Sequence, residues 1–269
     1  MSNLQRKRII EYLKQGKRFD GRKPEEYRKI EIKTGISNKA EGSVSVKFGN
    51  TEVYAGIKLE VIKPYPDSLD SGVLTTSSEL NPMASPDFEM GPPKIEAIEL
   101  ARIVDRGVRE SGFIDFKKLC IKEGEKVWGI YLDIYAVNDS GNLVDVAALA
   151  ALIALANAKM PVYNEKTERV EHEWTKESLP LNKDAMAFNM TIHRIDGVFI
   201  FDPVKEEQEI SDFRISIAAS LNKGKARISS IQKGKEGTIS SEEMEKVLNL
   251  VEDKIKEIYP QIIKYSELK

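Results

Sequence analysis

The sequence predicts an α+β fold made of two related units, and three observations predict it. Alternating apolar runs followed by a helix-patterned segment occur twice along the 269 residues. Between them lies Leu143 to Ala158, apolar around nearly its whole circumference, which requires protein on most sides of that helix. With 41% hydrophobic and 31% charged residues, the chain has ample material for a large core and a solvated surface.

Taken in order, the chain opens with a short amphipathic helix carrying Leu4, Ile9, Ile10 and Leu13, stopped at Gly16. Val44, Val46 and Phe48 alternate with polar residues, Gly49-Asn50 supplies a tight turn, and Thr51 to Leu59 returns as a second strand. Residues 63–93 hold six prolines and read as a surface excursion with one strand near Val73 to Leu80. A helix begins after Pro93 and runs to about Ser111 before Gly112, with Ile98, Ala101, Val104 and Val108 as its buried side. Lys126 to Val137 alternates as a strand with Trp128, Ile130, Leu132, Ile134 and Ala136 on one face. A turn over Asn138 to Gly141 then leads into the apolar helix. Asn142 and Asp145 stand at its start, where a side-chain acceptor caps free N–H groups and a carboxylate suits the positive helix end.

Val162 to Lys183 is polar and reads as a solvated loop or hairpin. The second unit starts near Ala185 with a strand at Phe188 to His193, an Asp196-Gly197 turn and a strand at Val198 to Phe201. An acidic connector follows, whose Glu206–Glu209 cluster reads as solvated surface. Strands at Phe213 to Ser220 and Ala226 to Gln232 flank a turn at Asn222 to Gly224. A closing helix starts near Ser240 or Ser241 and is expected to bend at Pro260. The divisions expected are an N-terminal helix and arm over 1–27, a first unit over 28–162, a connecting loop over 163–184 and a second unit over 185–269.

Composition excludes several classes of function. No apolar stretch of about eighteen residues occurs, so no membrane helix is expected. The first residues lack the apolar core and cleavage site of a signal peptide, and a cytoplasmic location is the expectation. Cys120 is the single cysteine, which rules out an internal disulfide and reads as a core thiol. The two histidines, His172 and His193, have nothing to bring them together, so no structural transition-metal site is expected; carboxylates could still hold magnesium, but no metal residue and no cofactor are assigned. A net charge of −2 means that any nucleic-acid contact must come from a local patch.

One such patch stands on the helix after Pro93. Arg102, Arg106 and Arg109 sit at i, i+4 and i+7, within about 60° of one another around the axis. Their stripe suits an RNA backbone. Read from the residues alone, a solvated ion-pair face fits better, because Asp105 can pair with Arg109 at i, i+4 and Glu99 and Glu110 lie nearby.

Several segments together resemble the RNase PH family. They are Phe19-Asp-Gly-Arg22 with Tyr27-Arg28, Ala40-Glu-Gly-Ser43, Phe48-Gly-Asn-Thr51 running to Gly56, Glu99 to Arg106, Asp139-Ser-Gly-Asn142, and Phe201-Asp-Pro203 with Glu206-Glu207. Each is weak alone, and their order and spacing make the likeness specific. Glu89-Met-Gly-Pro-Pro93 and Pro203-x-x-Glu-Glu207 are similar to the "forty-two" branch, the non-catalytic RNase PH-type subunits of the archaeal exosome.

The resemblance implies an RNase PH-like fold of two βαβα-type units in a six-membered ring. Its partners would be a catalytic RNase PH-type subunit, alternating as a trimer of heterodimers, together with RNA-binding cap proteins and single-stranded RNA. Active members of the family bind phosphate with an Asp-(Ala/Gly)-Gly-(Ser/Thr)-Arg loop; here Asn142 and Leu143 replace its last two residues. Active members also carry two aspartates six apart; with Asp202 as the strand-end aspartate, Gln208 and Arg214 fall at those positions. Glu206, Glu207, Glu209 and Asp212 stand close to that register. A non-catalytic subunit that binds RNA and supports its partner is therefore implied, with no catalytic residue of its own. The alternative is a phosphorolytic 3′–5′ exoribonuclease with a rearranged site. The resemblance also turns Arg102 and Arg106 toward RNA and leaves Arg109 balanced between the two readings.

Overall fold

The computed structural model describes residues 1–164 and 166–266; the side chain of His172 lies outside the described residues. Helix α1 (Asn3–Lys14) starts behind a reciprocal cap: Gln5 N donates to Ser2 Oγ at 3.3 Å and Ser2 N donates to Gln5 Oε1 at 3.2 Å. Gly16, at φ +73°, ends it in the left-handed region.

The first sheet contains β1 (Ile30–Thr34), β2 (Gly42–Phe48), β3 (Thr51–Ile62), β4 (Val73–Leu80), β5 (Cys120–Lys122) and β6 (Lys126–Asn138). Its order is β1-β2-β3-β6-β4, with β5 also paired to β6. Only β4 runs parallel to its neighbour, because α2 (Ile95–Arg109) carries the chain from β4 toward β6.

Helix α3 (Leu143–Ala156) is buried from Asp145 to Ala156, packed against β2 and β3 on one side and the second unit on the other. Small side chains permit that closeness: a Cβ at Gly42 would run into the Ala154 carbonyl. The polar stretch beyond α3 folds as a hairpin of β7 (Lys159–Asn164) and β8 (Arg169–Ser178).

The second sheet contains β9 (Phe188–Ile195), β10 (Val198–Phe201), β11 (Phe213–Asn222) and β12 (Lys225–Gly234), all antiparallel in the order β10-β9-β11-β12. The acidic connector forms a short helix, α4 (Lys205–Ile210). Helix α5 (Ser241–Ile263) runs through Pro260 and buries Val247, Val251, Ile255, Ile258 and Ile262 against the second sheet. One hydrophobic core spans both units, from Val44 to Ile262. A second, smaller cluster seats Ile9 and Leu13 of α1 on Ile195 and Ile200. Among the described residues no helix is long and apolar enough to cross a membrane.

Four local expectations need correction. Ile98 is 45% exposed, not buried. Helix α2 packs on two sides, with Leu100, Val104 and Val108 in the main core and Gly107 against Asn189 of β9, and Ile98 lies on the strip left over. Asn142 stands at the N-cap of α3 in the left-handed conformation, φ 60° and ψ 38°, yet its side chain makes no cap bond. Glu207 is buried at 3% exposure, unlike exposed Glu206 and Glu209, because it faces an arginine. Cys120 is half-buried on β5 rather than in the core.

Candidate nucleic-acid interface

Two places carry concentrated charge: the turn into α3, and the exposed strip of α2.

At the first, the 139–142 turn meets the strand end at Asp202 and the arm before β1. Asp202 is fully buried, and its carboxylate accepts from Arg28 Nε at 2.8 Å, Arg28 Nη2 at 2.7 Å, Arg28 N at 2.8 Å and Arg22 Nη1 at 2.9 Å. The Asn142 amide donates to Asp202 Oδ1 at 2.9 Å and to Asp145 Oδ2 at 3.1 Å. Burial pushes the Asp202 carboxyl upward, but the Arg28 hydrogen bonds and charge, with Asn142, outweigh it and hold the group below the usual aspartate range.

Asp145 has only neutral donors: Asn142, the Tyr27 hydroxyl at 3.0 Å and Thr191 N at 3.1 Å. Burial therefore prevails and lifts it to about 6. Burial likewise lifts the Tyr27 hydroxyl, reinforced by Asp145 and Asp202. Next door, the buried Arg18 guanidinium forms a two-point pair with Glu207 and donates to the carbonyls of Phe201 at 2.9 Å and Asp202 at 2.8 Å.

The backbone N–H groups of Asp139, Ser140 and Gly141 are committed inside the chain. Gly141 N donates to Asp139 Oδ1 at 3.0 Å and Ser140 N to Thr51 Oγ1 at 3.2 Å. Arg28 takes the carbonyls of Ser140 and Gly141 at 3.1 and 2.9 Å. Lys205, near the turn, is paired with Asp87 at 2.6 Å. Gly141 lies so tight against residues 203–205 that a Cβ there would sit 2.5 Å from the Pro203 carbonyl oxygen. Gln208 lies on α4, and Arg214 on β11 pairs with Glu99 at 2.7 Å. Asp212 is paired with Arg194 at 3.1 Å. Among the described residues no three His, Cys, Asp or Glu side chains gather as a metal site.

On the strip of α2, Arg102, Arg106 and Arg109 are all exposed. Arg109 is tied down: Nε and Nη2 bind Asp105 at 2.9 and 2.8 Å, Nη2 also reaches the Leu74 carbonyl at 2.9 Å, and its Cζ lies 5.9 Å from the Phe116 ring centre. The Asp105 bond raises its pKa further. Arg102 and Arg106 have no ion-pair or hydrogen-bond partner among the described residues, leaving two cations available to an anionic ligand. They stand between two clefts. One, of about 320 Å³, is bordered by Tyr65, Thr75 and Thr76; the other, of about 300 Å³, by Arg214, Gln232 and Lys233. Tyr65, 60% exposed on the proline-rich excursion, and the second-unit residues were missed from sequence. For Arg214 a signal existed: alternation along β11 sets it on the same face as Ser216, the polar one.

Comparison with known proteins agrees over nearly the full length. The model of the 3′ exoribonuclease family matches through its domain 1 at residues 26–161 and its domain 2 at residues 186–253. Exosome complex component Rrp42 of Thermococcus onnurineus is 42% identical over 265 residues, covering 98% of this chain and 96% of the relative. The component of the same name from Methanocella arvoryzae is 41% identical over 254 residues, 94% of each chain. Among solved structures, a chain of the Archaeoglobus fulgidus exosome with RNA bound to the active site superposes with a TM-score of 0.86 at 36% identity, covering 96% of this chain and 98% of that one. A chain of an archaeal exosome core gives a TM-score of 0.81 at 32% identity, covering 98% and 96%.

Proposed function

The chain belongs to the 3′ exoribonuclease (RNase PH) family, and we propose that it is a non-catalytic subunit of an archaeal exosome ring, binding RNA and supporting a catalytic partner. The observation that carries this is the state of the 139–142 turn. Phosphorolysis needs cations and N–H donors to hold phosphate against an anionic RNA end, with carboxylates to move protons or hold a metal. Here the backbone donors of Asp139, Ser140 and Gly141 are spent internally, Leu143 stands at the arginine position, and Arg214 stands where a second acid is needed. The rearranged-enzyme alternative would draw on Asp202, Glu206 or Asp212. Asp202 is buried between two arginines, Asp212 is paired with Arg194, and Glu206 is exposed on α4, so they form no cluster.

In this role the partner is a catalytic RNase PH-type subunit alternating with this chain as a trimer of heterodimers, with RNA-binding cap proteins on the ring, in the cytoplasm. Relatives named as exosome components and chains of solved exosomes support that assignment. The working parts we assign are the 1–27 arm, the units over 28–162 and 185–269, and the connector over 163–184. Arg102 and Arg106 contact the backbone of single-stranded RNA, and Arg109, fixed by Asp105, borders them.

The deciding experiment measures particle mass and nucleoside-diphosphate release from RNA in phosphate buffer, with and without the catalytic homologue. The chain alone should release none, and the mixture should form a ring and degrade RNA. Release by the isolated chain at the rate of the mixture would overturn the proposal.

A further inference from the structure

The cleft between α2 and the second sheet holds more positive charge than the α2 strip supplies. Arg102 and Arg106 enter it from the helix and Arg214 from β11, and Glu99 is the one carboxylate among its lining residues. Three cations converging on one acid in a walled cleft create a field that calls for a further anion. We propose that this cleft is a second RNA contact, a seat for a backbone phosphate gripped from both units, with Glu99 holding Arg214 in its place until RNA arrives. It rests on the reading that the chain binds RNA.

Three details support it. The Arg214 guanidinium is packed against Gly234, where an added Cβ would come within 2.8 Å of Cζ and 2.9 Å of Nε. That contact, with the Glu99 bond and only 13% exposure, holds the fork in place before any ligand binds. Glu99 is 51% exposed, so exchanging it for a phosphate gives up a weak, solvent-screened pair. Finally, Gln232 borders the same cleft with its Nε2 buried and without a partner among the described residues. A buried donor left unpaired is costly, and a phosphate oxygen would satisfy it. The cleft holds the strand and cuts nothing: it has cations and an amide but no acid pair.

The test uses the full chain in the ring with its catalytic homologue, with labelled oligoadenylate RNA and, separately, inorganic phosphate as probes. Glu99→Gln frees Arg214 without touching the core. It should tighten RNA binding about tenfold and steepen the salt dependence by about one unit. Arg214→Gln should weaken binding and cancel the gain in the double variant. Unchanged RNA affinity in Glu99→Gln, with an unchanged melting temperature, overturns the proposal. So does a gain confined to inorganic phosphate, which would assign the cleft to the free ion. Arg102→Glu with Arg106→Glu, run alongside, separates the two levels. If it weakens RNA binding while Glu99→Gln does nothing, only this inference falls; if it too has no effect, the RNA-binding reading falls as well.

Discussion

Arg28 and Asp202 lock the arm before β1 to the strand end of the second unit: two side-chain nitrogens and the backbone N–H of one arginine all reach the same carboxylate, at 2.7 to 2.8 Å. Arg28 also spans the carbonyls of Ser140 and Gly141, so one side chain joins the arm, the 139–142 turn and the second unit.

Breaking that lock from either side should be expensive. Asp202→Ala leaves the Arg28 guanidinium without its carboxylate, a loss of about 3–5 kcal/mol, and Arg28→Ala, which leaves Arg22 on Asp202, should lose less. Thermal unfolding of each variant should show a fall in midpoint, and a paired replacement of both residues should cost less than the two single losses added.

Asp145 and His193 should oppose each other in the pH dependence of stability. The folded Asp145 pKa, about 6, lies above its ordinary value, so the folded state holds the extra proton between roughly 4 and 6, and stability falls as pH rises there. His193 is lowered to about 3 by burial, then by Arg214 and Lys235. Its unfolded form binds the extra proton below roughly 6.5, so its contribution to stability is lost as pH falls toward 3. Denaturant unfolding across pH 4 to 6 should therefore show a rising slope in Asp145→Asn and a falling one in His193→Gln, relative to the parent.

Gly141 combines a φ of 95° with a Cβ position 2.5 Å from the Pro203 carbonyl oxygen. Gly141→Ala should lose roughly 2–4 kcal/mol through strain and collision. Gly112, at φ 74° with nothing within 4 Å, is the control, and its alanine variant should lose about 1 kcal/mol. Equal losses in calorimetry would show that the 203–205 contact is unimportant.

Arg102→Glu with Arg106→Glu should weaken retention of single-stranded RNA by the assembled ring while the ring still forms. Each lost phosphate contact should lower the salt slope by about one unit. Size-exclusion mass and a filter-binding salt series read the two properties separately.

The alternating strands of the first sheet and the apolar α3 were legible in the sequence because their periods are strong. Ile98 was misplaced because a helix wedged between two layers has no single apolar face, and its narrow exposed strip takes whatever residue falls there. Asn142 looks like a cap, yet its amide turns to Asp202, sixty positions along the chain, and nothing local announces such a partner. Glu207 reads as surface until Arg18 is brought to it across 189 positions. At the candidate interface, helical spacing shows the α2 arginines and their mutual angle. The Asp105 pair that holds Arg109 is local and legible, whereas its further ties to the Leu74 carbonyl and the Phe116 ring are supplied only by the tertiary fold.

The seat of α1 on Ile195 and Ile200 has a consequence for synthesis. Ile9 and Leu13 dock on residues translated almost two hundred codons after them, so they must wait without a site while the intervening chain is made. A nascent chain halted before that strand pair would display a sticky, unhoused helix, the form in which a holding chaperone would find it.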